Sequence, residues 1–258
     1  MRAGALLWGA LMGLVLLFML LPLVLIVVFS LNDSALASLP LSGFTWRWYE
    51  ALLANRAFLP ALENSLVVGA AVAALSVLTG TLAALALARM PKRRAEAMLD
   101  LLSAPMMMPA LVIAIGLLVF FVRVLGVRLG LTTVVLGQLV VVQPFVIALL
   151  SARLATFDWR LVESARDLGA TPIRAFLDVT LPLVRPSLIG AGLIALSLSL
   201  DDFVIAFFTI GSGNTLPTLV WGLVRTSLDP TINAVATLLL ALSVVSTGLA
   251  LLLTRYRG

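Results

Sequence analysis

Along the 258 residues, long apolar runs with few charges alternate with short polar segments, the pattern of a chain that crosses a bilayer repeatedly. Six runs are long enough to supply the ~20 residues that a helix needs to span the hydrocarbon core. They lie at about 5 to 31, 64 to 89, 98 to 122, 131 to 152, 186 to 210 and 232 to 254. The first follows Arg2, contains Pro22 and lacks a small-residue cleavage pattern, so it reads as a retained span and not as a removed signal peptide. A seventh uncharged stretch, 203 to 224, has "GSGNTLP" at 211 to 217 in its middle, and these turn residues predict a loop there.

One segment departs from this pattern. Arg153, Asp158, Arg160, Glu163, Arg166, Asp167, Arg174, Asp178 and Arg185 crowd into the loop 153 to 185, a density suited to water. Asp158 is placed to cap a first helix, with Leu161, Ala165 and Leu168 following at near-helical spacing and Gly169 ending it in a left-handed conformation. Thr171 then caps a second helix whose first position is Pro172, where the missing N–H is not needed. Ile173, Phe176, Leu177 and Val179 make one side of it apolar, and Pro182 and Pro186 are expected to stop it. The island thus reads as two short helices with a glycine hinge.

Composition agrees with a membrane protein: 62% of residues are hydrophobic, 11% are charged and the mean hydropathy is +1.17. The absence of cysteine and histidine removes disulfides, thiol nucleophiles, thiolate metal sites and the commonest general base, so catalysis by this chain is not expected. No phosphate-cradling "GxxxxGK[ST]" occurs either. Sorted by the six spans, Arg2, Arg89, Lys92, Arg93, Arg94, Arg153, Arg160, Arg166, Arg174, Arg185, Arg255 and Arg257 fall on one side. Arg47, Arg56, Arg123, Arg128 and Arg225 fall on the other. This asymmetry places both termini and the loop 153 to 185 in the cytoplasm. Trp46, Trp48, Tyr49 and Trp221 then lie outside, as an interfacial aromatic belt, and the run from Arg89 to Arg94 anchors topology and meets lipid headgroups, with no nucleic acid needed.

Glu163, Ser164, Ala165, Gly169, Val179, Leu181 and Pro182 follow a spacing that resembles the cytoplasmic EAA motif of permease subunits in binding-protein-dependent ABC importers. The one departure is Ser164, where that family usually has alanine. "SLNDS" at 30 to 34, "GFTWRWYEALLAN" at 43 to 55, "ENSLVVGAAVAALSVLTGTLAALALAR" at 63 to 89 and "PMMMPALVIAIGLL" at 105 to 118 extend the resemblance over essentially the whole chain. Within the superfamily, "LSLSLDDFVIAFFTIG" at 196 to 211 and "DPTINAVATLLLALS" at 229 to 243 resemble the second permease subunit of spermidine and putrescine importers.

The resemblance implies an all-α membrane protein with six transmembrane helices, of type I ABC importer permease fold, in which 1 to 258 is one permease domain. The island becomes a coupling helix that docks on an ATPase through Glu163, Ser164, Ala165, Gly169, Leu181 and Pro182. It further implies a heterodimer with a second permease subunit, two ATP-binding cassette ATPases that bind the ATP and magnesium, an extracytoplasmic solute-binding protein, surrounding lipid and the bacterial inner membrane. The chain itself is then no enzyme.

In that branch Asp201 and Asp202 draw the most interest. With a fifth helix starting at Pro186, Asp201 lies about 22 Å along it, deep in a core of ~30 Å. A carboxylate there costs ~2.5–3.5 kcal/mol. One reading makes one or both line the pathway and meet the ammonium groups of a polyamine, Asp202 being preferred to Asp201, with Phe203, Phe207 and Phe208 as apolar or cation–π neighbours. The other ends the helix early, so that both cap or pair, for instance with Arg225. Gln138 and Gln143, near Pro144, bond across helices or line a cavity; Asn64 caps the second span. Pro105 and Pro109, bracketing three methionines, predict a kink or an unwound substrate-contacting turn. A rival function is an ion-coupled secondary transporter using the aspartate pair; it lacks an inverted repeat and leaves the loop 163 to 182 unexplained.

Overall fold

The computed structural model describes residues 2–34, 40–226 and 230–255, and their regular structure is helical apart from one isolated bridge between Asn32 and Phe44. Asp229 and Arg257, used above for the resemblance and for topology, lie outside the described residues. In chain order the helices are α1 (Arg2–Ser30), α2 (Arg47–Ala54), α3 (Phe58–Ala88), α4 (Lys92–Ser103), α5 (Ala110–Val119) and α6 (Leu131–Ala155). They continue as α7 (Arg160–Asp167), α8 (Pro172–Ala175), α9 (Leu181–Asp201), α10 (Val204–Thr209), α11 (Leu216–Thr226) and α12 (Thr231–Arg255). Among the described residues four helices are long and apolar enough to cross a membrane: Trp8–Ser30, Phe58–Ala88, Leu131–Ala155 and Pro172–Asp201. A fifth crossing requires that Lys92–Met107 and Ala110–Val124, bent by 92°, count as one. The last candidate is a shorter apolar stretch, Thr231–Val245.

Two of the expected spans are therefore altered, each at an identifiable residue. The run 98 to 122 breaks because Met108, which precedes Pro109, takes the extended backbone (φ −93°, ψ 143°) that proline imposes on its predecessor. The kink expected between the two prolines is thus a near right angle. The run 186 to 210 ends at Asp201, since Asp202 is extended (φ −72°, ψ 116°) and a separate short helix follows. At the other end, Pro182 and Pro186 do not stop the second island helix. A π-turn at Phe176–Thr180 joins α8 to α9, its wider bore relieves the clash that a proline ring makes with the preceding turn, and Pro182 falls at the first positions of the α-helical part. One helix, Pro172–Asp201, results. The stretch after 203 is not a seventh span; α10 and α11 are separated by the expected loop, with Gly211 at φ +72°.

The chain divides into two compact units. In the larger, Pro60–Thr218 with Ser243–Gly258, α6 packs on α9, and α10 packs on α5 and α6. Val68, Val72, Val142, Val146, Leu150 and Ala195 are among the side chains of its core. Gly137 lets α6 come close to α10, for a Cβ there would lie 2.8 Å from Ile205 Cγ2. In the smaller, Met1–Leu59 with Leu219–Leu242, the segment after α1 is folded back by the Asn32–Phe44 bridge. Trp48 is buried there and donates its indole N–H to Asn32 O (2.7 Å), so it is a structural residue and not part of an exposed belt. Trp46 stays exposed.

The close approach at Gly137 predicts that Gly137→Val loses ~1–3 kcal/mol of packing. This will show as a lower thermal midpoint of the detergent-solubilised chain. Gly116→Val, at a position with nothing within 4 Å, will leave that midpoint nearly unchanged.

Candidate functional site

Two places in the larger unit concentrate polar chemistry, one at each end of the long helix Pro172–Asp201. The first is the charged island. Asp158 Oδ1 accepts the Arg160 N–H (3.1 Å), so it starts α7 as expected although the helix begins a residue or two later. At the far end Ala170 N–H reaches Ala165 O (3.0 Å) and Gly169 N–H reaches Arg166 O (2.9 Å), the paired bonds of a Schellman cap. That cap needs a left-handed residue after the helix, and Gly169 supplies it at φ +89°. Thr171 Oγ1 accepts the Arg174 N–H (3.3 Å), with Pro172 at the first helical position.

Phe157, Trp159 and Val162 hold α7 to the core, the two rings meeting at 4.9 Å. The spacing places Leu161, Ala165 and Leu168 on one face, but the buried side is a different one. Leu168 is 90% exposed and, across the hinge, Ile173 is 72% exposed; Glu163 and Ser164 of the same loop are exposed as well. On the second helix Ala175 and Thr180 are buried, while Ile173 and Leu177 point away. Leu181 is half-buried and Pro182 exposed. Arg153 Nη2 donates to Leu183 O (3.3 Å), tying the end of α6 to the start of α9.

The second place is the break after Asp201. A helix end leaves backbone groups without partners, and in hydrocarbon each unmet group costs several kcal/mol. Asp202 meets this need directly: Oδ1 accepts the Ile205 N–H (3.3 Å) and Oδ2 the Ala206 N–H (3.0 Å), which caps α10. From α6, Gln138 Nε2 donates to Asp202 Oδ2 (3.0 Å) and to Ser199 O (3.4 Å), and Gln138 Oε1 accepts the Ser199 hydroxyl. Thr133 Oγ1 adds a bond to Thr209 O (2.7 Å). Asp201 is exposed at the end of α9 and accepts a long bond from Ser243 Oγ (3.4 Å). Phe207, 45% exposed, lies tilted against Phe203 and edge-to-face with Phe208, ring centroids 5.3 Å apart in each pair.

Asp201, Asp202 and Phe207 therefore lie on one short segment, and the two carboxylates have different surroundings. Both glutamines bond across helices; Gln143 Nε2 reaches Ser76 O (3.5 Å). Asn64 lies inside α3, and its Nδ2 donates to Asn214 O (2.9 Å), so it ties down the loop before α11. Arg225 sits over the Trp221 ring at 5.8 Å. Ser199 was not foreseen, for a lone serine in an apolar run carries no signal until its helical neighbours are known. Among the described residues no group of three or more metal-binding side chains occurs.

A family described as "binding-protein-dependent transport system inner membrane component" matches residues 76–257. The chain is 36% identical over 230 residues to the putrescine transport system permease protein PotI of Escherichia coli K12, covering 86% of this chain and 82% of the relative. It is 34% identical over 248 residues to the spermidine/putrescine transport system permease protein PotC of Haemophilus influenzae, covering 96% of each. Among solved structures, a chain of the bacterial alginate ABC transporter bound to its periplasmic protein superposes with a TM-score of 0.74 at 15% identity, covering 99% of this chain and 96% of that one. A chain of the MetNI methionine transporter gives 0.57 at 19% identity, covering 79% and 99%.

Proposed function

The chain belongs to the family of binding-protein-dependent transport system inner membrane components, a permease and not an enzyme, and from that premise we propose that it carries polyamines such as putrescine or spermidine through an ATP-driven importer. The names of the relatives support this solute class. Its partners are a second permease chain, two ATP-binding cassette ATPases that hold the nucleotide and magnesium, and a solute-binding protein outside. All of 1 to 258 serves as one permease domain, with both termini and the loop 153 to 185 in the cytoplasm.

The observation that carries the reading is the single helix Pro172–Asp201, which joins the water-facing island to the acidic break. Its 30 residues amount to about 45 Å at 1.5 Å per residue, enough to connect a cytoplasmic docking surface to a point deep in the membrane. In this reading the ATPase grips α7 and the glycine hinge through Glu163, Ser164, Ala165 and Gly169. Exposed Leu168 and Ile173 supply apolar contact, and Leu181 and Pro182 pass the movement into α9. Closure of the ATPases then moves the far end of the same helix and the segment of Asp201, Asp202 and Phe207 that follows it, where Asp201 and Phe207 border the solute path and Asp202 holds the break. The ion-coupled alternative finds no support.

Apolar surface left open within the chain supports burial against lipid and the second permease. A groove of about 540 Å³ is lined by Ala73, Ala74, Val77, Leu78, Leu188 and Gly192, with hardly a polar atom in it.

Copurification in mild detergent is expected to recover a second permease and an ATPase bearing the phosphate-loop motif. Recovery of the chain alone, competent to move a polyamine down an ion gradient, would refute the importer reading. Glu163→Lys and Gly169→Trp will each lower binding-protein-stimulated ATP hydrolysis by roughly tenfold or more, the equivalent of about 1.4 kcal/mol, without loss of membrane insertion. Stimulated turnover equal to the parent's would sink the coupling role. Asp201→Asn will raise the solute concentration for half-maximal uptake about tenfold, as expected for loss of a charged contact of ~1.5–3 kcal/mol. An unchanged uptake curve would remove Asp201 from the path.

A further inference from the structure

We propose that Gln138 and Asp202 are positioning residues for transport: together they hold the break between α9 and α10, and they leave Asp201 as the carboxylate that this region presents to a passing cation. The inference rests on the importer reading above and assigns different roles to two neighbouring acids.

The hydrogen bonds carry the argument. Gln138 is 1% exposed, so its side chain lines no passage. Its amide has two N–H groups and one oxygen to satisfy, and all are engaged: Nε2 with Asp202 Oδ2 and Ser199 O, Oε1 with the Ser199 hydroxyl. One side chain of α6 thereby grips the last turn of α9 and the cap of α10 at once. Asp202 in turn accepts three N–H groups, from Ile205, Ala206 and Gln138, on both of its oxygens. A cation approaching Asp202 competes with donors that no water can replace in hydrocarbon. Releasing them would leave the start of α10 uncapped.

Geometry adds two supports. Gly137 lets α6 approach Ile205 closely enough for the neighbouring amide to reach, and the Thr133–Thr209 bond closes the same seam at the far end of α10. Asp201, one residue earlier, is exposed and, among the described residues, takes only a long bond from Ser243. Asp202 is thus fixed against α6 while its neighbour Asp201 stays exposed.

The test uses the assembled importer in proteoliposomes with labelled putrescine, together with a readout that needs no solute. The chain has no cysteine of its own, so Gly137→Cys with Ile205→Cys gives a disulfide pair that reports the α6–α10 seam in native membranes. Asp202→Asn will keep uptake within about threefold of the parent, since asparagine caps a helix as well as aspartate and its amide meets a rotated Gln138 amide. Asp202→Ala will lower uptake about tenfold or more and slow crosslinking, because both cap bonds are lost. Gln138→Glu, which sets two carboxylates face to face, will do the same, and adding Asp202→Asn to it will restore both readouts.

Equal loss in Asp202→Asn and Asp202→Ala, without recovery in the double variant, would make Asp202 a direct cation ligand and overturn the proposal. Parent-like uptake or crosslinking in Asp202→Ala would overturn it as well. Should the parent complex move no putrescine, the solute reading fails, and the crosslinking pattern still decides whether Gln138 and Asp202 hold the break.

Discussion

Hydrocarbon offers no hydrogen bonds, and this single constraint shapes the chain wherever a helix is interrupted. An unbroken helix satisfies its own backbone, so the long spans need little beyond apolar side chains. The interruption after Asp201 exposes carbonyls of α9 and N–H groups of α10 together, and it is met by Asp202 from within the segment and by Gln138 and Thr133 from α6. The polar residues that look costly in an apolar run are therefore the ones that make the interruption stable.

The break at Met108 and Pro109 is of another kind. Proline has no N–H to satisfy and forces its predecessor into an extended conformation, so part of the deficit is removed at its source. The bend between the two helical pieces follows from this local chemistry, whereas the break at Asp202 depends on a second helix being in place.

At its other end the same long helix begins in the charged island, whose exposed side chains suit water, and different rules hold there. The island is built from caps: Asp158 and Thr171 at helix starts, and the Schellman pair closed by Gly169 at a helix end. Phe157, Trp159 and Val162 anchor it, which frees Leu168 and Ile173 to face outward. The π-turn at Phe176–Thr180 then carries the chain past Pro182 without a stop. Charged island and acidic break are consequently two ends of one continuous helix.

Much of this was legible in the sequence because it rests on local pattern. Apolar runs locate the membrane helices, and cap residues locate the two island helices and their hinge, since each of these depends on neighbours within a few positions. The motif spacing from Glu163 to Pro182 pointed to the family for the same reason. The tertiary structure decided what depends on residues far apart in the chain. Pro182 and Pro186 read as stops, yet Pro182 falls at the first positions after the wider turn and Pro186 is carried inside the helix. Asp201 and Asp202 read as near equivalents, and only the approach of α6, 61 to 64 residues earlier, separates an exposed acid from one bound into a cap. Sequence by itself thus determined that the chain spans a membrane and carries a charged loop of two capped helices, because hydrophobic length and capping are local. Which carboxylate stands open was decided by packing, because a hydrogen bond from Gln138 exists only once two distant helices lie side by side.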